Sequence, residues 1–408
     1  MTLGRLRGQL TAAFGRALAA VDLEARVREA TPRVPARAQA AVVVAIGKAA
    51  PAMARGALAA AGERFTRVLV VAPDGVDARF DDREGPVEVL RAPHPDPDRR
   101  SVVAARRALE VVSGSDFVLA LVSGGASSLV CLPLGVSLRR YVSVTRALLL
   151  GGATIQEVNL VRRHLCALKG GGLARAARGR VHTLVASDVI GGAAYDVGSG
   201  PTVPDATTRA QARAVVKRFA PRAKLPLHES LKPSAAVVRR LRVRIVARPE
   251  DLARAIAHDL RGQVDRVRVL PPSLAPAAAL SREYVVRART LRPGEALVRA
   301  AESAVPVDPA CRSGRGGRCT HLAALVASEL PPDVVFLAGA SDGVDGSSGT
   351  GGALVDGSLP GLVSPEVLAR SIATFDTGPL LASTGMSLPA RPSGTNLTDL
   401  HVLVRSGA

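Results

Sequence analysis

Short continuous runs of apolar residues, many of them β-branched, recur along the first half of the chain. They occupy residues 41–46, 67–72, 117–122 and 181–186, and each ends at glycine, proline or serine. Segments with helical character lie between or beside them, at residues 8–30, 49–61, 98–112 and 154–169. Continuous apolar strands that alternate with helices are typical of a parallel sheet covered on both faces. The pattern therefore predicts an α/β fold with an N-terminal Rossmann-like parallel sheet.

The alternation pauses at residues 220–234, which are rich in proline, lysine and polar residues. Further apolar runs follow at residues 243–246, 264–270, 334–339 and 400–404. The chain has 408 residues, and single hydrophobic cores stop growing near about 250–300 residues. We therefore expect two domains, with residues 1–234 forming the first and residues 235–408 forming a smaller C-terminal α/β domain.

The formal net charge is +19, which suggests a nucleic-acid partner, but the composition argues against that interpretation. Lysine is found only at positions 48, 169, 217, 224 and 232, and the abundant arginine is spread along the whole chain. Aromatic residues are 2% of the sequence and tryptophan is absent, so a platform for stacking bases is poorly supplied. We expect no nucleic-acid partner.

Residues 117–138 carry no charge and are long enough to cross a bilayer. Their centre, Ser123 to Ser128, is a glycine-containing turn, and Pro133 follows, so a buried strand, a turn and a helix start explain the segment better. The four cysteines form no CxxC pair and have no histidine at metal-finger spacing. We expect free thiols, no membrane association and a cytoplasmic location.

Glycine stands beside polar residues at the ends of several predicted strands. Such ends are found at Gly47-Lys48, at Ser123 to Ser128, at Ser187-Asp188 with residues 198–202, and at residues 341–346. Residues 314–318 form another glycine cluster. Ligands of open parallel sheets bind at these strand ends, where glycine lets backbone amides approach an anion. Each element alone fits an ordinary turn equally well. Gly47-Lys48 in particular is not a Walker A loop, because Val42 and Ala49 replace the glycine and the hydroxyl residue.

Taken in order, these elements resemble the glycerate 2-kinase family with a C-terminal MOFRL domain, whose members often carry a hydroxypyruvate reductase label. The resemblance covers nearly the whole chain. It is carried by AIGKAAPAMARGA (45–57), HPDPDRRS (94–101), LVSGGASSLVCLP (121–133), GGATIQEVNLVRRHLCALKGGGLA (151–174), SDV (187–189), GSGPTVPDATT (198–208), GRGGR (314–318), SDGVDG (341–346) and SGTNLTDLHV (393–402). No G-x-G-x-x-G follows a strand, so the reductase label itself has little support.

The resemblance implies transfer of the ATP γ-phosphoryl group to the 2-hydroxyl of D-glycerate, with Mg²⁺, in a cleft between two α/β domains. It implies catalytic roles for Lys48, Arg318 and Asp188, and it leaves a homodimer open. The implied ligands of substrate or nucleotide are Gly47, Ser123, Gly124, Gly125, Ser127, Lys169, Ser199, Gly200, Thr202, Arg315 and Asn396. The implied magnesium ligands are Asp342, Asp345 and Glu302.

The chain departs from the family's pattern at acidic positions. Members usually show two acidic residues shortly after Ser-Asp-Val, where this chain has Gly192 and Ala193. A further acid usually follows the last arginine of GRGGR, where His321 stands here. Phosphoryl transfer depends on positioned metal and charge, so the loss of acids leaves a second hypothesis open. In that hypothesis the chain is a degenerate homologue that binds ligand and turns it over weakly or not at all.

Overall fold

The computed structural model describes residues 3–81, 87–307, 314–391 and 393–407. Their contacts divide the chain into two compact units. The first unit is Leu23–Ala247, and the second unit combines Met1–Asp22 with Arg248–Ala408. This division differs from the expected domains of residues 1–234 and 235–408. The N-terminal helix belongs to the second unit, and the last strand of the first sheet lies beyond residue 234.

Within the described residues, the first unit has six strands, β1 (Ala41–Ile46), β2 (Arg67–Pro73), β3 (Val87–Ala92), β4 (Phe117–Val122), β5 (Arg180–Ala186) and β6 (Leu241–Ala247). All pair in parallel in the order β3-β2-β1-β4-β5-β6. This is the doubly wound order of the Rossmann fold, and the chain reverses its direction of growth between β1 and β4. The expectation of a Rossmann-like parallel sheet is confirmed.

The helices of the first unit cover both faces of this sheet. They are α2 (Leu23–Ala30), α3 (Ala50–Ala61), α4 (Arg99–Ser113), α5 (Ala126–Leu129), α6 (Leu138–Leu150), α7 (Ile155–Arg163), α8 (Gly172–Ala176) and α9 (Arg209–Phe219). Alternate side chains of β1, such as Val42 and Val44, share a core with Ala104 and Ala108 of α4, and α3 packs on the sheet as well. Every residue of β1 is buried, which explains its uninterrupted apolar sequence.

The second unit is smaller and contains a mixed sheet with the order β11-β10-β9-β12-β8-β7. Its strands are β7 (Arg266–Val269), β8 (Glu295–Ala301), β9 (Val334–Ala340), β10 (Thr350–Asp356), β11 (Ser387–Pro389) and β12 (Asp399–Arg405). Its helices are α1 (Leu3–Ala20), α10 (Pro249–Leu260), α11 (Ala277–Thr290), α12 (Arg318–Ala327), α13 (Leu359–Leu362), α14 (Pro365–Ala373) and α15 (Thr377–Ser383). β7 and β8 are parallel, whereas β8–β12, β12–β9, β9–β10 and β10–β11 pair antiparallel.

The N-terminal helix α1 belongs to the second unit, although it comes first in the chain. It packs against α10 and β9, and the Phe14 ring lies over Gly339, where an added Cβ would come within 2.7 Å of the ring. Arg16 forms a two-pronged ion pair with Asp259 of α10, with a shortest distance of 2.7 Å. The single helix expected over residues 8–30 is therefore wrong, because α1 ends at Ala20 and α2 packs in the first unit.

Three other local expectations are corrected or confirmed. The strand expected at residues 243–246 is the end of β6, which pairs with β5 and so completes the first sheet. The helix expected over residues 154–169 ends earlier, at Arg163, whereas the capping box of Thr154 and Glu157 is present at its N-terminus as expected. The uncharged window of residues 117–138 is β4, a turn and α5, and none of the helices in the described ranges has the length and apolarity needed to span a bilayer.

Candidate functional site

The loops that follow β1 and β4 are joined at the point where the strand order reverses. The Lys48 amide donates to the Gly124 carbonyl at 2.9 Å, and the Ser123 amide donates to the Ile46 carbonyl at 3.0 Å. Gly47 has φ +135°, and a Cβ at this position would lie 2.1 Å from Ser123 Oγ, so only glycine fits there. These contacts give Lys48 a rigid backbone at the carboxyl ends of the strands.

Ser123 is fully buried, and its hydroxyl oxygen accepts a hydrogen bond from the Ala49 amide at 3.1 Å, just before α3. The Ser123 hydroxyl thus fixes the start of α3, and the backbone amides of its loop remain the expected phosphate ligands. Gly125 is left-handed, with φ +84°, and a Cβ there would lie 3.4 Å from Lys48 Cγ and 3.1 Å from His94 Cδ2. His94, an exposed residue, therefore lies on the same side of Gly125 as the Lys48 side chain.

A second group of expected ligands forms a connected network beside α5. Ser127 Oγ and Ser199 Oγ lie 3.2 Å apart, and Ser199 also donates to Asn159 Oδ1 at 3.2 Å. Gly198, Ser199 and Gly200 all have positive φ, so this stretch is a left-handed turn, and the Gly200 carbonyl accepts from the Gly171 amide at 2.7 Å. Asn159 is a member of this network that the sequence did not single out.

Two further expected ligands are buried and bonded inside the protein. Lys169 is 2% exposed, and its ammonium group donates to the carbonyls of Ser127 at 2.6 Å and Val130 at 3.1 Å. Thr202 is 1% exposed and its hydroxyl accepts from the Thr183 hydroxyl at 2.8 Å. The observed bonds of both side chains thus hold the loop and the sheet in place.

Asp188 follows β5 and is half-buried, with the Ser187 amide bonded to the Ala247 carbonyl at 2.9 Å. The acid-free positions of this loop come next. The Ala193 amide donates to Asp196 Oδ2 at 3.0 Å, so a carboxylate is present nearby, although at a different position from the family's pair. A Cβ on Gly192 would come within 2.5 Å of Val189 Cγ1, so this loop has closed around the small residue.

In the second unit, Arg318 is the first residue of α12 and bridges two acids. Its Nη1 donates to Glu302 Oε1 at 2.5 Å, and its Nη2 donates to Asp399 Oδ1 at 3.1 Å. Asp399, at the start of β12, is 2% exposed, whereas the Arg318 and Glu302 side chains are 40% and 43% exposed. The buried Asp399 carboxylate therefore holds one side of the Arg318 guanidinium, and part of the group is exposed to solvent.

The charges of this cluster are strongly coupled. Burial, with a contribution from Asp345 and Glu302, raises the pKa of Asp399 to about 7, although Arg318 opposes the shift. Burial alone would lower the pKa of Arg318, but the attraction of Asp399 and Glu302 outweighs it and the pKa rises. Among the described residues, Asp399 Oδ2, Ser303 Oγ and Thr398 Oγ1 are buried without a hydrogen-bond partner. Buried polar atoms without a partner are rare in folded proteins, and a bound ligand, ion or water is one explanation for them.

The carboxylates expected to bind magnesium are used differently. Asp345 is buried, and its two oxygens accept from the amides of Cys319 at 3.0 Å and Thr320 at 2.8 Å, so it caps α12. Asp342 Oδ1 accepts from the Val344 amide at 3.2 Å in a turn, and Glu302 pairs with Arg318. Nowhere in the described ranges do three or more histidine, cysteine or acidic side chains form a group that could hold a metal ion.

The remaining expected ligands lie in neighbouring loops of the second unit. Arg315 is exposed, and its amide donates to Asp376 Oδ1 at 2.8 Å. Asn396 is half-buried in the loop before β12, which the Ser341 hydroxyl fixes by accepting from the Leu397 amide at 2.7 Å. Sequence reasoning missed Asp399, although it stands within SGTNLTDLHV, directly before a buried apolar strand, where an acid is unusual.

Comparisons with known proteins show the family and the fold. Residues 9–231 match the family described as "Domain of unknown function (DUF4147)", and residues 295–399 match the MOFRL family. The chain is 32% identical to a D-glycerate 2-kinase of Thermotoga maritima, over 95% of both chains. It is 33% identical to an Agrobacterium vitis protein named as a hydroxypyruvate reductase, over 96% of this chain and 92% of that one. The crystal structure of a glycerate kinase of Thermotoga maritima superposes with a TM-score of 0.84 at 27% identity, covering 98% of this chain and 100% of that one.

Proposed function

Because the chain belongs to the glycerate kinase family, we propose that it transfers the γ-phosphoryl group of ATP to the 2-hydroxyl of D-glycerate, giving ADP and 2-phosphoglycerate. A relative named D-glycerate 2-kinase and a solved structure of a glycerate kinase support the reaction class. The choice of the 2-hydroxyl as acceptor and of ATP as donor is our proposal.

The observation that carries the proposal is the fixed position of Lys48. Its backbone is held by the Gly124 carbonyl, and the close contact of Gly47 with Ser123 leaves the loop little freedom. The side chain starts at the carboxyl ends of β1 and β4, where doubly wound sheets bind their ligands. An ammonium group carried on this fixed backbone is proposed to neutralise the charge of a phosphoryl group or of the substrate carboxylate.

Arg318 is proposed to stabilise the charge that develops on the transferring group. Two acids fix its guanidinium, and its exposed side can offer N–H donors to phosphate oxygens in a planar arrangement. Asp188 is proposed to orient the acceptor hydroxyl, and the loops of Ser123–Ser128 and Gly198–Thr202 to bind the substrates through backbone amides.

The side chains expected to hold Mg²⁺ do not fit a dedicated site, since both oxygens of Asp345 are taken by amides and Glu302 pairs with Arg318. We therefore derive no step through a metal held by these residues. Magnesium enters the proposal as part of the substrate, the magnesium complex of ATP, whose phosphates supply most of the ligands.

The direct test is a steady-state assay of the purified protein with ATP, Mg²⁺ and a panel of 2-hydroxy acids. We expect ADP release that depends on D-glycerate, and a ³¹P spectrum that identifies 2-phosphoglycerate rather than the 3-phosphate. A parallel assay of NADH oxidation with hydroxypyruvate tests the reductase label, and we expect no turnover there.

Replacing Lys48 with alanine tests the residue that carries the proposal. One preorganised charge of this kind is worth about 100-fold or more in rate, so Lys48→Ala is expected to lower kcat by at least that factor without changing the unfolding midpoint. The matched control is Lys217→Ala, an exposed lysine on α9, which should keep full activity. Wild-type turnover by Lys48→Ala would contradict the role of this ammonium group.

The second candidate is a homologue that binds its ligands without turnover, and the acid-free loop at Gly192 and Ala193 favours it. Calorimetric titration with ATP separates the two. ATP binding without phosphoryl transfer to any 2-hydroxy acid would support the binding-only homologue, whereas D-glycerate-dependent ADP release excludes it.

A further inference from the structure

A cavity of about 380 Å³ lies in the first unit, between α4, α8 and the segments around residues 163–169 and 228–230. Its size is that of a small-molecule site. Its wall carries an unusual number of nitrogen groups, from Arg163, Lys169, Arg175 and His228. Lys48 and Arg318, the cations of the proposed reaction, do not line it.

Two of these cations form a buried floor. Lys169 is 2% exposed and Arg163 is 6% exposed, which is rare for charged side chains and requires compensation. The Lys169 ammonium group spends two of its three N–H donors on the carbonyls of Ser127 and Val130, so a third remains. Among the described residues, Arg163 Nε finds no hydrogen-bond acceptor in suitable geometry, although Asp205 lies 3.2 Å away as its ion partner.

The rim adds positive charge. Arg175 is exposed at the end of α8, and one of its nitrogens reaches the Glu229 carbonyl at 3.3 Å, which turns it towards the cavity. The acids nearby are already paired, since the Glu229 carboxylate lies 2.8 Å from Lys232 and Asp205 pairs with Arg163. The Ser230 hydroxyl on the same wall already accepts from the Lys232 ammonium group at 2.8 Å. The surplus positive charge of the cavity therefore comes from Lys169 and Arg175, and one N–H donor of Lys169 is left over.

We propose that this cavity binds a small phosphate-bearing anion. A tetrahedral dianion would accept from the ammonium and guanidinium groups of the floor and from Arg175 at the rim, in the charge-assisted geometry that such groups favour. The ligand is either free phosphate or the phosphate of a small ester, both of which a cavity of about 380 Å³ can hold. The inference goes beyond the proposed reaction, and phosphate binding is measured without any turnover.

The test is calorimetric titration with inorganic phosphate, and separately with glycerol 3-phosphate, at constant ionic strength. All proteins carry Lys48→Ala, which weakens phosphate binding at the proposed catalytic loop. In this background we expect one phosphate per chain. Arg175→Ala removes one charge-assisted donor, and Ala176→Glu adds a carboxylate to the wall, so each should weaken binding by about tenfold or more.

The matched control is Arg178→Ala, which removes one positive charge close by on the chain from a side chain that is 77% exposed and does not line the cavity. Its phosphate affinity should equal that of the parent protein. Absence of phosphate binding in the Lys48→Ala background would overturn the proposal. Equal weakening by the control and by Arg175→Ala would also overturn it, because the effect would then be general electrostatics. The tighter of the two probes identifies the ligand as free or esterified phosphate.

Discussion

The buried carboxylate of Asp399 makes a sharp prediction about stability and pH. Its pKa is about 7 in the folded protein, against an ordinary value of 3.8, because burial disfavours its charge. A carboxyl group of this kind binds its proton more tightly in the folded state. Its contribution to the free energy of unfolding is therefore complete below about pH 4 and is lost as the pH rises through about 7.

The size of this contribution follows from the two pKa values. One unit of pKa corresponds to about 1.4 kcal/mol, so the interval between 3.8 and about 7 corresponds to about 4 kcal/mol. Asp399→Asn keeps an oxygen that can accept from Arg318 Nη2, but it stays neutral at every pH. Relative to wild type, the variant should gain about 4 kcal/mol in free energy of unfolding between about pH 4 and pH 8.

The measurement is urea unfolding of both proteins across this pH range, followed by far-ultraviolet circular dichroism because the chain has no tryptophan. Comparing the two proteins at each pH cancels the titration of all other groups. Asp333→Asn is the matched control, since it also removes an aspartate–arginine pair of the second unit, with Arg405, but at a carboxylate 41% exposed. A difference between Asp399→Asn and wild type that stays constant with pH would refute the reasoning.

Three further predictions test other parts of the molecule. Ala193→Asp restores one acid of the family's pattern and should lower the Mg²⁺ concentration at half-maximal rate, because carboxylate oxygens suit this cation; an unchanged magnesium dependence would show that the position is not involved. Gly56→Ala places a Cβ 2.2 Å from the Glu24 carbonyl oxygen and should cost about 2 kcal/mol or more in free energy of unfolding by urea, whereas Gly8→Ala, with no described atom within 4 Å of the new Cβ, should stabilise α1. Arg318→Lys cannot hold both acids in one plane and should lower kcat about 100-fold in the glycerate assay, and a rate within about threefold of wild type would contradict its role.

The central strands were predictable because their sequence signal is local. The runs at residues 41–46 and 117–122 match β1 and β4 residue for residue, since strands buried on both faces need apolar side chains at every position. β3 gave no such signal, because this edge strand is only half-buried and carries Glu88 and Arg91. The membership of β6 was hidden for another reason, since its partner β5 lies more than fifty residues earlier in the chain.

The same contrast between local signals and distant partners applies to the candidate site. Glycine beside polar residues, at a strand end for Lys48 and in the 314–318 cluster for Arg318, singled out these two loops as candidates, because that signal also lies within a few residues. The use of individual side chains depends on partners far away in sequence. Asp345 caps α12 through amides 25 and 26 residues earlier, and the Ser123 hydroxyl meets an amide 74 residues away. A pattern of acids and hydroxyls therefore does not predict which of their atoms remain available to a ligand.

The placement of α1 has a consequence for how the protein is made. Its apolar face, which includes Leu10 and Phe14, is buried against β9 and α10. A ribosome that adds about 10 residues per second would need about half a minute to deliver Gly339 after Phe14. During that time the first unit can complete its sheet, while the apolar face of α1 is still exposed because its packing partners have not yet been synthesised. A chaperone could bind this apolar face of α1. A fragment that starts at Arg248 would lack α1, which covers β9 and α10.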